Sequence, residues 1–342
     1  MSCRFAVAAA FVALSTTLHA SAQDGPYKVL STTKVGGEGS FDYVTADPDG
    51  RRLYVARSGP AGHIAVYNLD DLKPAGDILG VSAHGAVIDT KYGHGFATSK
   101  PVTMFDAKTL AILKTIDTGG NPDGYLIDSV SNRVYILSHN APNVTVLDAK
   151  DGAILGTIDL GGAPEQAVLD GKGHMYIDLE DKAAIAVVDS KTMKMTGKYD
   201  LTGKGDGCTG LAIDQKNGIL FAACREPQAM VILSAADGKI ITTLPIGKGT
   251  DGAVFNPATM EAFSSQGDGT LTVVKESSPT SFAVEQTLIT APRAKTLTLD
   301  PKTNRIFVIA ADFNPAPPAE PGQRPARPTM VPDSFKILTV GK

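Results

Sequence analysis

The sequence has no tryptophan and only three cysteines, Cys3, Cys208 and Cys224. So few thiols, with no histidine cluster beside them, exclude a cysteine-rich zinc module and a densely cross-linked scaffold. Positive charge is not in excess either. Lys and Arg number 32 against 36 Asp and Glu, a net charge of −4, so nothing draws the chain as a whole onto nucleic acid. The absent tryptophan also removes a strong base-stacking group, and a nucleic-acid partner is not expected. No glycine-rich phosphate loop leads into a helix, no G-x-S-x-G elbow appears, and no C-x-x-C-H haem site appears. No run approaches the roughly 18 apolar residues that a membrane helix needs.

What the chain does have is turns. Its 35 glycines and 21 prolines are dispersed, which marks frequent chain reversals rather than low complexity. An apolar content of 43% supports a large core and rules out general disorder. The first residues read as a leader. Arg4 supplies a positive start, Phe5 to Leu14 an apolar run, and Ala20-Ser21-Ala22 a small-x-small cleavage site. Cleavage before Gln23 is expected, leaving an exported, periplasmic or extracellular chain that is monomeric by default. Residues 1–22 are then the leader and 23–342 a single domain.

A repeat of about 42 residues dominates that domain. One unit runs from Asn121 to Gly162 and parses into four short strands: Tyr125 to Ile127, Arg133 to Leu137, Asn143 to Leu147 and Ala153 to Leu160. The first strand of each unit ends at an acidic residue or Asn: Asp47, Asp89, Asp128, Asp170, Asp214, Asn256 and Asp300. Their spacings of 42, 39, 42, 44, 42 and 44 hold one phase through the chain, which chance alternation of turns would not do. Asp and Asn open turns by bonding backbone N–H groups two residues on, so these residues are expected to be structural. The three residues before each are almost all apolar without alternation, as in Leu211-Ala212-Ile213, so both faces of that strand are covered. Four strands per unit at this period predict an all-β, seven-bladed β-propeller of four-stranded antiparallel blades.

The last unit supplies only three strands, Ala294 to Leu299, Arg305 to Ala310 and Ser334 to Val340. A spare strand, Tyr27 to Val35, lies at the other end and is expected to complete the last blade and close the ring, shielding its edges. Between the last two strands, Phe313 to Pro332 holds seven prolines with Arg324 and Arg327, a segment unable to pair in a sheet. It reads either as a flap over one end of the ring or as a surface loop. Cys208 and Cys224 fall at the start of the first strand and the end of the second in unit five. Those points are neighbours across a hairpin, so a disulfide is expected, with two free thiols as the alternative.

Leu53-Tyr54-Val55-Ala56, Gly120-Asn121-Pro122-Asp123-Gly124, Asn143-Val144-Thr145-Val146-Leu147-Asp148 and Thr157-Ile158-Asp159-Leu160-Gly161-Gly162 resemble YVTN-type β-propeller repeats. Across all seven units the chain is similar to the YncE-like periplasmic propellers. That resemblance implies the fold. The broad group includes surface-layer proteins, a DNA-binding periplasmic protein, lactonases and a streptogramin-type lyase. Its motif is structural, so it implies no catalytic residue, and a shared propeller does not imply a shared reaction.

In a propeller the start of each inner strand and the end of each second strand meet around one channel mouth. Five residues before each turn residue stand Asp42, His84, Asp123, Glu165, Thr209, Asp251 and Lys295. The second-strand ends add Arg57, Lys100, His139, Asp178, Glu180, Arg225, Gln266 and Asp312. Three expectations follow. Asp42, His84, Asp123, Glu165 and Asp251 are candidates to hold a divalent cation, either calcium or magnesium through the carboxylates or a transition metal through the imidazole. Such an ion would polarise a lactone or ester carbonyl, with His84 or His139 as acid or base, in a metal-dependent lactonase or lyase. Alternatively Arg57, Lys100, Arg225 and Gln266 bind a small polar molecule, or the mouth takes a protein partner, with no chemistry. The bland alternative is that channel positions are polar because they are wet. His94 and His174 belong to turns on the other face and are expected to be solvated.

Overall fold

Each turn residue does locally what its side chain dictates. Asp47 Oδ1 accepts from the N–H groups of Asp49 (3.1 Å) and Gly50 (2.9 Å), and Asp300 Oδ1 accepts from Lys302 N–H at 3.1 Å. Asp214 and Asn256 make the same bond two residues on. These reversals cut the chain into short antiparallel strands, which a computed structural model describes over residues 24–315 and 328–342. The expected leader, residues 1–22, lies outside the described residues, as does 316–327 of the proline-rich insertion, with Arg324 and Arg327. Among the described residues no helix is long and apolar enough to cross a membrane.

The strands form seven four-stranded antiparallel sheets, arranged as the blades of a β-propeller. Blade 1 comprises Ser40–Asp47, Arg52–Ser58, His63–Asn68 and Pro74–Leu79, and blades 2 to 6 follow the same order along the chain. Their inner strands are Ala83–Asp89, Pro122–Asp128, Pro164–Leu169, Asp206–Asp214 and Thr250–Asn256. Blade 7 takes Thr296–Asp300, Arg305–Ala310 and Lys336–Gly341 from the end of the chain and Lys28–Lys34 from its start. The early strand pairs antiparallel with the last one, Lys28 opposite Gly341 and Lys34 opposite Lys336, so the ring closes as the spare strand predicts.

Two devices lock that closure. Tyr27 is buried against the edge of Phe263 in blade 6, and its backbone is held at both ends by Gln286, with Tyr27 N–H to Oε1 and Nε2–H to Tyr27 O both 2.9 Å. Its hydroxyl donates to Glu261, a wholly buried carboxylate that also receives Lys342 Nζ at 2.8 Å, so one acid ties Tyr27 and Lys342 together. At the seam between blades 7 and 1, Arg57 donates to Gly36 O (3.2 Å) and Glu38 O (2.8 Å) and stacks 4.0 Å from the Phe335 ring.

The core is a series of inter-blade clusters rather than one centre. Cys208 and Cys224 are direct partners across the blade 5 hairpin and are joined by a disulfide, as their spacing predicts. One core carboxyl is out of place energetically. Glu276 on the third strand of blade 6 is 2% exposed, accepts one bond from Asn217 Nδ2 at 2.7 Å, and is pushed up to about 7 by burial. The folded chain therefore keeps this proton up to about pH 7, while the unfolded chain releases it at an ordinary glutamate pKa. Stability must fall as pH rises through that window. Glu276→Gln keeps a donor and carries no charge. It is expected to raise stability at pH 8 by about 2 kcal/mol and to change nothing at pH 4, read from melting curves at the two pH values.

Candidate functional site

The mouth residues owe their direction to a break in the ladder. In blades 1, 2, 3, 4 and 6 the register of the first hairpin slips across two residues, between Phe41 and Val44, Ala83 and Ala86, Pro122 and Tyr125, Pro164 and Ala167, and Thr250 and Ala253. In blade 5 it slips across Thr209. Asp42, His84, Asp123, Glu165, Thr209 and Asp251 all sit in these bulges. A bulged residue has no partner in the ladder and the strand bends there, which re-aims its side chain, here onto the mouth for all but Thr209, whose buried hydroxyl donates to Thr250 O at 2.8 Å.

The result is a ring of alternating charge. His84 Nδ1 lies 2.8 Å from Asp42 Oδ2 and 3.2 Å from Asp123 Oδ1. His139 Nε2 lies 3.2 Å from Asp123 Oδ2, 3.0 Å from Glu165 Oε2 and 3.9 Å from Glu180 Oε1. Glu180 continues to Arg225 Nη1 at 3.6 Å, Arg225 Nη2 meets Asp251 Oδ1 at 2.6 Å, and Lys295 pairs with the other oxygen of Asp251. The carboxylates shape the histidines. The hydrogen bond with Glu165 raises His139 to about 9, and that with Asp42 raises His84. Burial raises Glu165 to about 7 and lifts Asp123 as well.

Beneath the ring the channel is filled. Tyr43 and Tyr125 meet edge to face with centroids 5.5 Å apart. Tyr43 Oη donates to Glu165 Oε1 at 3.1 Å, and Tyr125 bonds Thr45. Gln166 spans to blades 5 and 6, accepting from Leu211 N–H (2.9 Å) and Ala253 N–H (3.1 Å) and donating to Ala253 O (3.0 Å). Four residues before the turn residues stand Gly85, Gly124, Gly210 and Gly252 in blades 2, 3, 5 and 6. Gly85 leaves room for the Tyr125 ring, which a Cβ there would strike, while the other three lie close against Glu165 O, the Gly252 backbone and Leu297 respectively.

Above this floor opens a cavity of about 950 Å³, within the range of small-molecule sites. Asp42, His84, Arg225, Asp251 and Lys295 give it a charged wall, and Phe41, Arg293, Phe313 and Pro328 complete the rim. Phe313 and Pro328 are the two stems of the proline-rich insertion, zipped by Asn314 N–H to Thr329 O at 2.9 Å and Val331 N–H to Asp312 O at 2.8 Å. Arg293 lies 4.4 Å from the Phe313 ring. The stems thus stand at the rim of the cup.

The sequence-predicted residues divide cleanly. Asp42, His84, Asp123, His139, Glu165, Arg225, Asp251 and Lys295 come together. Asp251 stands outside the histidine clusters, and Arg225 and Lys295 occupy both its oxygens. Arg57 and Gln266 do not reach the cup. Arg57 is 1% exposed and spent on the ring seam. Gln266 is wholly buried, donating to Ser264 O at 2.7 Å and accepting from Thr270 and Thr272. Lys100 is exposed but ties Gly120 O and Asn121 Oδ1 at the entry to blade 3. Asp178 is wholly buried with no partner for either oxygen, and burial and Glu165 push its carboxyl far above the usual range. On the other face, His174 is exposed and bonded to Asp170 at 2.8 Å, while His94 is partly buried against Ala149 O, contrary to the expectation that it is solvated. Sequence reasoning missed Arg293, Tyr43, Tyr125 and Gln166; the last three lie one or two positions beyond the ring register, where a large polar side chain interrupts an apolar strand.

Comparison with known proteins defines the class and stops there. No family model matches the chain, and no curated protein matches it. Among solved structures it is similar to a chain in the crystal structure of a mitotic checkpoint complex, with a TM-score of 0.69 and 11% identity over 90% of this chain and 95% of that one. At that identity the likeness shows the fold alone, a seven-bladed β-propeller.

Proposed function

We propose that the protein is an exported, monomeric binding propeller of the YVTN-repeat type that takes a small anionic or polar molecule in the mouth cup. The observation that carries this reading is the cavity of about 950 Å³ walled by converging charged groups over a closed floor. A cup of that size encloses a small molecule. Arg225, Lys295 and Arg293 supply cationic donors on one arc, and Phe41 and Phe313 supply apolar cover. The leader pattern of residues 1–22 supports export, and the YVTN-type motifs support the family. A hydrolytic reading of the same mouth, as a metal-dependent lactonase or lyase, draws its support from the two histidine–carboxylate clusters.

Thermal shift against a panel of small mono- and dicarboxylates, run on chelator-treated protein, tests the binding reading. At least one acid is expected to raise the melting temperature. Arg225→Ala is expected to weaken that acid about tenfold or more, as loss of a charge-assisted hydrogen bond does. A panel with no shift, or equal affinity in Arg225→Ala, would sink the proposal.

A further inference from the structure

The histidine arc of the mouth has more acceptors than protons. The Nδ1 of His84 carries at most one hydrogen, yet two carboxylate oxygens face it, Asp42 Oδ2 at 2.8 Å and Asp123 Oδ1 at 3.2 Å. The Nε2 of His139 also carries one at most and faces Asp123 Oδ2 at 3.2 Å, Glu165 Oε2 at 3.0 Å and Glu180 Oε1 at 3.9 Å. Protons alone leave this arc short, and one consequence is visible. Asp123 Oδ1 is buried without a hydrogen-bond partner. An oxygen in that position normally has one, and here the nearest donor, His84 Nδ1 at 3.2 Å, stands outside hydrogen-bond geometry, so Asp123 Oδ1 is left able to take a cation.

The spacing fits a metal polyhedron. With metal–ligand bonds of about 2.1 Å, neighbouring donors of an octahedral site stand about 3.0 Å apart and those of a tetrahedral site about 3.4 Å. The separations of 2.8 to 3.2 Å between each imidazole nitrogen and its two nearest oxygens fall in or beside that range, and all the donor atoms of each cluster lie within 4.8 Å of one another. The two clusters share one residue, and they share it by different atoms: Asp123 gives Oδ1 to the first and Oδ2 to the second.

We propose that the mouth holds a pair of divalent first-row transition cations bridged by the Asp123 carboxylate, one on Asp42 and His84, the other on His139 and Glu165. An imidazole nitrogen in each set selects this class over calcium or magnesium. A single carboxylate spanning two ions sets them at the separation typical of two-metal sites. Charge agrees. Two such ions offset Asp42, Asp123 and Glu165, whereas Asp251 and Glu180 already face Arg225, and Asp251 faces Lys295 as well. Of the two sets, Asp42 and His84 line the cup together with Arg225, Lys295 and Arg293, so an anionic ligand there would meet the first cation and the cationic side chains. The inference rests on the reading of the cup as the ligand site.

Equilibrium dialysis of the chelator-treated full chain against cobalt(II) and zinc(II) decides it. Two equivalents per chain are expected, with cobalt giving visible absorption from its ligand field. Asp123→Asn is expected to bind no more than one equivalent, and His84→Ala and His139→Ala are each expected to lose one. His174→Ala, on the opposite face, is expected to keep both. Asp123→Asn removes a buried, under-satisfied charge, so its metal-free melting temperature is expected to match or exceed that of the parent chain, which separates lost binding from lost fold. Fewer than two equivalents in the parent chain, or two retained by Asp123→Asn, would overturn the proposal. The carboxylate thermal shift on metal-free protein separates the two readings. If acids bind and cations do not, the cation pair alone is refuted; if neither binds, the cup is not a ligand site.

Discussion

A chain that begins at Gly37 is expected to be less stable by more than about 5 kcal/mol, a large share of the total for any domain. The deleted segment supplies the outer strand of blade 7, whose ladder runs from Lys28 opposite Gly341 to Lys34 opposite Lys336. It also carries Tyr27, buried on Phe263 and bonded through backbone and hydroxyl to Gln286 and Glu261. Removing a buried aromatic alone costs about 3–5 kcal/mol. Its loss leaves the polar atoms of Gln286 without Tyr27 and takes one partner from Glu261 inside the protein, and it opens Lys336–Gly341 as a bare edge. Denaturant melts of the truncated and parent chains measure the difference. A synthetic peptide of residues 26–36 is expected to restore part of the loss by adding itself to that edge. An unchanged midpoint would mean that the seam between blades 7 and 1 holds without the strand.

Gly210→Ala is expected to cost at least about 3 kcal/mol, whereas Gly252→Ala, at the equivalent position one blade on, should cost much less. A Cβ on Gly210 would lie 2.6 Å from the carbonyl carbon of Gly252 and 2.8 Å from Ala253 N, backbone atoms of the neighbouring inner strand. Nothing there can rotate aside, so blades 5 and 6 would have to part. A Cβ on Gly252 meets the tip of the Leu297 side chain at 3.0 Å, and that side chain can shift. Neither residue sits at positive φ, so the contrast isolates packing from backbone strain. Equal losses in the two variants would show that the inner strands are not in contact as described.

The fold was legible because its punctuation is chemical. A turn acid at a fixed period marks every inner strand, and the acids bond the turns in the way their side chains require. The ring of mouth residues was legible for the same reason, since the bulge falls at a fixed distance before that acid. Arg57 and Gln266 were misjudged because the same offset says only where a residue lies on the second strand, not where its side chain goes. Arg57 turns toward Gly36, Glu38 and Phe335, groups brought near only by closure of the ring. Gln266 satisfies hydroxyls on the next strand of its own blade. Arg293 lies outside the repeat register and reaches the cup through the insertion stem at Phe313, which no periodicity announces.

The bulges carry a consequence for how such a mouth changes over time. A side chain outside the ladder has no cross-strand partner to match, and the slips at Phe41/Val44 and its counterparts hold the backbone whatever stands at Asp42, His84 or Thr209. Each of those blades therefore contributes one side chain that its own sheet does not constrain, while contacts such as those of His84 with Asp42 and Asp123 tie the slots to one another. A substitution in one slot is therefore felt first by its neighbours around the ring, and only after them by the sheet beneath.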